Sequence, residues 1–126
     1  MIRYRYVDRL SPPAPFINVV ARCPDTGFRT NELPALLDYG ADRCVLPRRV
    51  VTALELAEDG AESFAGFGGQ VERLPLFLVE FCIHDLKPLQ VRAVVGERED
   101  YILLGRDMLN TLRVLLDGPQ LALEIG

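Results

Sequence analysis

Nothing in this chain stays regular for long. Nine prolines and ten glycines divide its 126 residues into short runs, and a chain interrupted that often cannot build long helices. The runs carry the strand period instead. Ile2 to Val7 reads Ile-Arg-Tyr-Arg-Tyr-Val, apolar and polar by turns, as a half-buried strand does. Further strands are read at Phe16 to Ala21, Pro34 to Asp38, on both sides of Gly66-Phe67-Gly68-Gly69 between Ser63 and Ile83, at Leu89 to Val95, Tyr101 to Gly105, Leu112 to Leu116 and Gln120 to Ile125. Ser11 to Pro15 reads as a connector. Pro24-Asp25-Thr26-Gly27, His84-Asp85 and Asp117-Gly118-Pro119 read as turns. Short helices are expected at Pro47 to Leu56, with Pro in the first helical position, and at Arg106 to Thr111. Many short strands with one or two short helices predict an all-β closed barrel, and the length predicts a single domain over residues 1–126.

One of these strands ends on an acid. Ala35-Leu36-Leu37 delivers Asp38 to a turn containing Gly40, and Asp42 follows four residues after Asp38. A carboxylate at the end of a buried strand, beside a residue without a β-carbon, is a candidate catalytic acid or base. Other chemistries find fewer residues. His84 is the only histidine, too few for a Ser-His-Asp triad or a His-rich metal site. Cys23, Cys44 and Cys82 are odd in number and lack C-x-x-C spacing, so neither a disulfide framework nor a zinc site is indicated. No metal and no cofactor are expected. The formal net charge of -4 argues against nucleic acid and anionic membrane as partners. Arg3, Arg5 and Arg9 read as a solvated strand face, and Glu97 to Asp100 as a solvated loop. Tyr4, Tyr6 and Phe16 are expected in core or interface packing. No apolar run approaches the roughly 20 residues that span a bilayer. The opening MIRYRYVDRL carries charges where a signal peptide is apolar, so a cytoplasmic location is the expectation.

Three separated blocks then stand in a familiar order: ALLDYGADRCVL at 35–46, AGFGGQV at 65–71 and ILLGRDML at 102–109. Together they resemble the retropepsin-like aspartic proteases. The first block is similar to the family's active-site loop, apolar-apolar-Asp-Thr/Ser-Gly-Ala, the second to its glycine-rich flap, and the third to its apolar-apolar-Gly-Arg-Asn/Asp block. Leu36-Leu37-Asp38 and Leu103-Leu104-Gly105, each followed by a short helix, form a weak internal echo like the family's pseudo-repeat.

The resemblance implies a retropepsin-like fold with one lobe per chain, acting as an aspartic endopeptidase on peptide or protein substrates. A single lobe supplies one catalytic aspartate, Asp38, so a homodimer is implied, with two copies of Asp38 sharing a proton across the axis. It further implies that Gly40, Ala41 and Asp42, with Ala65, Gly66 and Phe67 of the flap, contact substrate, and that Asp42 and Arg106 form an ion pair fixing two loops. Asp117 is read as a hairpin-turn residue and not a second catalytic acid. Tyr39 is the departure. It stands where the family has Thr or Ser, whose hydroxyl bonds across the dimer axis, and a Tyr hydroxyl lies about 6 Å from its backbone on a rigid ring. The alternative reading is therefore a catalytically impaired domain of the same fold that binds peptide or only dimerises. An unrelated small β-barrel, with Asp38 as a plain turn residue, fits the ordered blocks least.

Overall fold

The structure, a computed structural model, describes residues 1–66 and 68–126. Among them are ten strands, β1 Ile2–Arg5, β2 Phe16–Arg22, β3 Leu33–Leu37, β4 Val45–Pro47, β5 Glu58–Ala65, β6 Val71–Cys82, β7 Leu89–Gly96, β8 Ile102–Leu104, β9 Val114–Asp117 and β10 Ala122–Ile125, and two helices, α1 Arg48–Leu54 and α2 Arg106–Leu109. Seven strands pair in the order β2-β3-β8-β4-β7-β6-β5, and β2 also pairs with β6. Six strands thus make a ring of pairings, with β5 attached outside on β6. The all-β, retropepsin-like architecture with one lobe per chain is present. The ring is thin at one seam, where β4 meets β8 through the single register pair Val45↔Leu103. A separate three-stranded sheet, β1-β10-β9, joins the two ends of the chain.

Alternating apolar residues build this ring because each strand has one face inside it. β2 buries Ile17, Val19 and Ala21, and β3 buries Ala35 and Leu37. β8 is only three residues long, yet it buries Ile102 and Leu104 and runs parallel to β3 in the register Ala35↔Ile102, Leu36↔Leu103, Leu37↔Leu104. These residues share one core with Leu46, Leu54, Val79, Phe81, Met108, Leu109, Leu123 and Ile125. Each such aliphatic side chain contributes about 1.5–3 kcal/mol on burial. The internal echo has a counterpart here, since the two related segments lie side by side as β3 and β8.

Several boundaries differ from those read in sequence. Pro47 closes β4 and caps α1 instead of occupying its first turn. The helix stops at Leu54 because Glu55 turns left-handed, with φ 50°, and the N–H groups of Glu55 and Leu56 return to Thr52 and Val51. β5 begins at Glu58, in a polar segment whose pairing with β6 overrides its composition through an irregularity between Glu58 and Ala61. Phe16 stacks edge-on against Tyr101, with ring centroids 4.9 Å apart, while Tyr4 and Tyr6 pack half-buried against the core. Cys44 is buried as expected of a core residue, but Cys82 is only half-buried. Among the described residues no helix is long and apolar enough to cross a membrane.

Candidate active site

Asp38 follows β3 directly, where the chain leaves the core. Its backbone N–H donates to the Leu104 carbonyl at 3.0 Å, which extends the β3–β8 pairing by one residue. Its Oδ1 accepts the Gly40 N–H at 3.0 Å, and its carbonyl accepts the Ala41 N–H at 3.1 Å. The turn is therefore closed twice, once by the side chain in the manner typical of Asp. A β-carbon at Gly40 would stand 3.2 Å from Asp38 Oδ1, so the glycine keeps that side of the carboxylate open. Among the described residues Oδ2 has no hydrogen-bond partner.

The loop after Asp38 is bound to the start of α2 by six hydrogen bonds. The Arg106 N–H donates to the Ala41 carbonyl at 2.9 Å. The Arg106 side chain forks, Nη1 donating to the Tyr39 carbonyl at 2.5 Å and Nη2 to the Asp42 carboxylate. Two residues on, Cys44 continues the attachment. Its N–H and its thiol both donate to the Asp107 carboxylate at 3.2 Å, and its sulfur accepts the Gly105 N–H at 3.4 Å. Asp107 also accepts the Met108 N–H at 2.9 Å. Burial pushes the Cys44 thiol well above the usual range, and the neighbouring Asp107 charge adds to the effect, so the thiol stays protonated as its donor role requires. Tyr39 spends its carbonyl on this network, but its side chain is 42% exposed.

A hairpin faces the loop. β5 and β6 pair up to Ala65↔Val71, and the Gly66 N–H donates to the Gln70 carbonyl at 2.9 Å. A cavity of about 210 Å³ opens between the two, walled by Gly40, Ala41, Asp42, Arg43 and Val45 on one side and by Phe64, Ala65 and Val94 on the other. Of the residues singled out in sequence, Gly40, Ala41, Asp42 and Ala65 thus share one cleft. Asp38 stands at the head of the same loop and does not line this cavity. Gly66 instead lines a depression at the hairpin tip with Gln70 and Val71, and Phe67 lies outside the described residues. A mainly apolar cavity of about 300 Å³ beside Phe81, Ile83 and Met108 has neither Asp38 nor any other Asp or Glu in its lining. Among the described residues no group of three or more His, Cys, Asp or Glu is arranged to hold a metal ion.

Sequence reasoning passed over two contacts. Arg43 bridges from the loop to Glu62 on β5, with Nε at 3.2 Å and Nη2 at 2.5 Å from Oε2. Cys44 and Asp107 lie 63 positions apart, and only the presence of both in two matching blocks could have linked them. Asp25-Thr26-Gly27 spells the family's Asp-Thr-Gly tripeptide, yet it lies in the turn between β2 and β3, where Gly27 has φ 79° and donates to the Cys23 carbonyl at 2.9 Å. Arg22-Cys23-Pro24 separates it from the apolar run of β2, whereas Leu36-Leu37 leads directly into Asp38.

Comparison with known proteins finds the same fold. The retropepsin-like aspartic protease from Rickettsia conorii superposes with a TM-score of 0.65 at 17% identity, over 97% of this chain and 86% of its own. EIAV protease, solved with the inhibitor HBY-793, gives 0.52 at 25% identity, over 78% and 86%. The retroviral protease-like domain of Ddi1 from Leishmania major gives 0.52 at 13% identity, over 87% of each chain. No curated protein matches the sequence. A family model described as aspartyl protease matches residues 26–108, which take in the Asp38 loop, the hairpin, and Arg106 with Asp107. With two thirds of its length in that match and a retropepsin-like fold around it, the chain belongs to the aspartyl protease family.

Proposed function

We propose that this protein is an aspartic endopeptidase whose site is completed by a second copy of the chain. The observation that carries the proposal is Asp38 itself, anchored at the end of β3 by its own N–H and by Oδ1, while Oδ2 has no partner among the described residues. One carboxylate cannot serve as both base and acid in a single step. Two copies of Asp38 facing across a two-fold axis solve this. At about 3 Å separation they cannot both ionise, so they hold one proton between them. The charged member takes a proton from water as it attacks the scissile carbonyl, and the protonated member donates to the carbonyl oxygen. The C–N bond then breaks as the nitrogen accepts a proton. Gly40, Ala41, Asp42 and Ala65 border the groove that receives the peptide, and the β5–β6 hairpin covers it. Arg106 holds Asp42 and the Tyr39 carbonyl, which keeps the loop in place during turnover. The free edges of β1 and β9, with Leu115 and Leu116 exposed on β9, provide surface for pairing two chains.

Incubation with an unfolded protein between acid and neutral pH tests the proposal, with Asp38→Asn as control and HBY-793, the compound bound in EIAV protease, as probe. Cleavage that both the substitution and the inhibitor suppress is the expected result. Cleavage by Asp38→Asn at the wild-type rate contradicts it.

The exposed Tyr39 ring favours a second reading, in which the same fold binds peptide or pairs with itself without cleaving. A bulky ring at the place of a short hydroxyl costs about 1–3 kcal/mol in a tight contact. Tyr39→Thr separates the readings. If it switches on cleavage absent from the parent, the parent is the impaired form. If the parent already cleaves, the second reading fails.

A further inference from the structure

The cleft has one charged wall whose hydrogen-bonding capacity is not spent. Arg43 lies one residue past Asp42 and lines the cavity between the loop and β5. Its guanidinium has five N–H donors in a planar fork. Nε and Nη2 both go to a single oxygen, Oε2 of Glu62. Among the described residues Nη1 has no partner. The neighbouring carboxylates are already occupied. Asp42 is held by Arg106, and Asp107 accepts from Cys44 and Met108. Arg43 is also the deeper member of its own pair, 26% exposed against 39% for Glu62, and only Arg43 lines the cavity. Arg92 and Asp107 share the next depression with it. Elsewhere in the wall Val45, Phe64 and Val94 are apolar, and the charge of Asp42 is matched by Arg106.

We propose that Arg43 is a specificity-determining residue. The peptide bound in this cleft places an acidic side chain, Asp or Glu, against the open edge of the Arg43 guanidinium. Glu62 acts through Arg43 as a positioning residue, turning the fork so that Nη1 faces the cleft. The inference deepens the peptidase reading and rests on it for the nature of the ligand. Charge-assisted bonds of this kind are roughly twice as strong as neutral ones, and partial exposure screens the gain, so a preference of about tenfold for Glu over Gln is expected at one substrate position.

The test uses peptides in which each residue flanking the cleaved bond is varied among Glu, Gln and Lys. Two quantities are read: kcat/KM ratios within each protein, and binding of the same peptides to the Asp38→Asn variant by fluorescence anisotropy. Ratios taken within one protein cancel any loss of folded material. The wild type favours Glu over Gln at one position. Arg43→Gln brings that ratio near one, Arg43→Lys keeps part of it, and Arg43→Glu moves the preference to Lys. No Glu preference at any position, or a preference that survives in Arg43→Gln, overturns the proposal. Acid-selective binding to a protein that cleaves nothing overturns the peptidase reading and upholds this one. Failure to bind or cleave any peptide overturns both.

Discussion

A β-carbon added at Gly105 would stand 2.5 Å from the carbonyl carbon of Arg43 and 2.9 Å from the carbonyl oxygen of Ala41. Both obstacles are backbone and cannot rotate aside. Gly105→Ala is expected to cost about 1–3 kcal/mol, seen as a lower urea midpoint. Activity falls further than stability, because a shift of about 1 Å in the loop carrying Asp38 costs on the order of 100-fold in rate. An unchanged midpoint contradicts this packing. Cys44 gives a pH test. Its folded pKa is raised, so the stability it contributes is present below the unfolded thiol's value of about 8.5 and is lost as pH rises beyond it. Thermal stability of the wild type should therefore fall more steeply above pH 9 than that of Cys44→Ser, whose hydroxyl does not titrate there; parallel curves refute it. Asp38 was legible because an apolar run leads to it. Arg43 and Cys44 were not, because their roles depend on Glu62 and Asp107, which are remote in sequence and share no periodicity with them.

α2 is only four residues long, too short to be stable by itself, yet it fastens the loop that carries Asp38. Arg106 does this with two arms of one planar group, one on Tyr39 and one on Asp42. Arg106→Lys leaves a point charge that cannot hold both. Since the pair is exposed, chemical denaturation should show a loss below about 1 kcal/mol, while kcat drops at least about tenfold with KM less affected. Equal losses in stability and rate would mean that the contact is merely structural. The same scale shows where sequence patterns stopped being readable. β2, β7 and the terminal hairpin announce themselves by alternation and turn residues. β4 does not, because three residues are too few to display a period and its strand form comes from lying between β8 and β7. The start of β5 is hidden for a different reason. Glu58-Asp59-Gly60 has the composition of a loop, and tertiary pairing with β6 overrides it.

The whole molecule offers one Asp38, and the proposed chemistry needs two. Among the described residues the β1-β10-β9 sheet has no partner at either edge, and β9 presents Leu115 at 53% and Leu116 at 44% exposure. Leu115→Glu with Leu116→Glu should weaken self-association by at least about tenfold in sedimentation, through charge at a contact that is otherwise desolvated, and should lower activity most at low protein concentration. The most direct measurement of the central claim is a mixing experiment. Wild type and Asp38→Asn are combined in equal amounts and allowed to exchange partners, and cleavage is followed per wild-type chain. If each site takes one Asp38 from each of two chains, random pairing leaves only about half of the wild-type chains with a competent partner, and activity per wild-type chain falls to about half. Activity that stays constant on mixing, or a wild type with no inhibitor-sensitive cleavage to lose, contradicts the account.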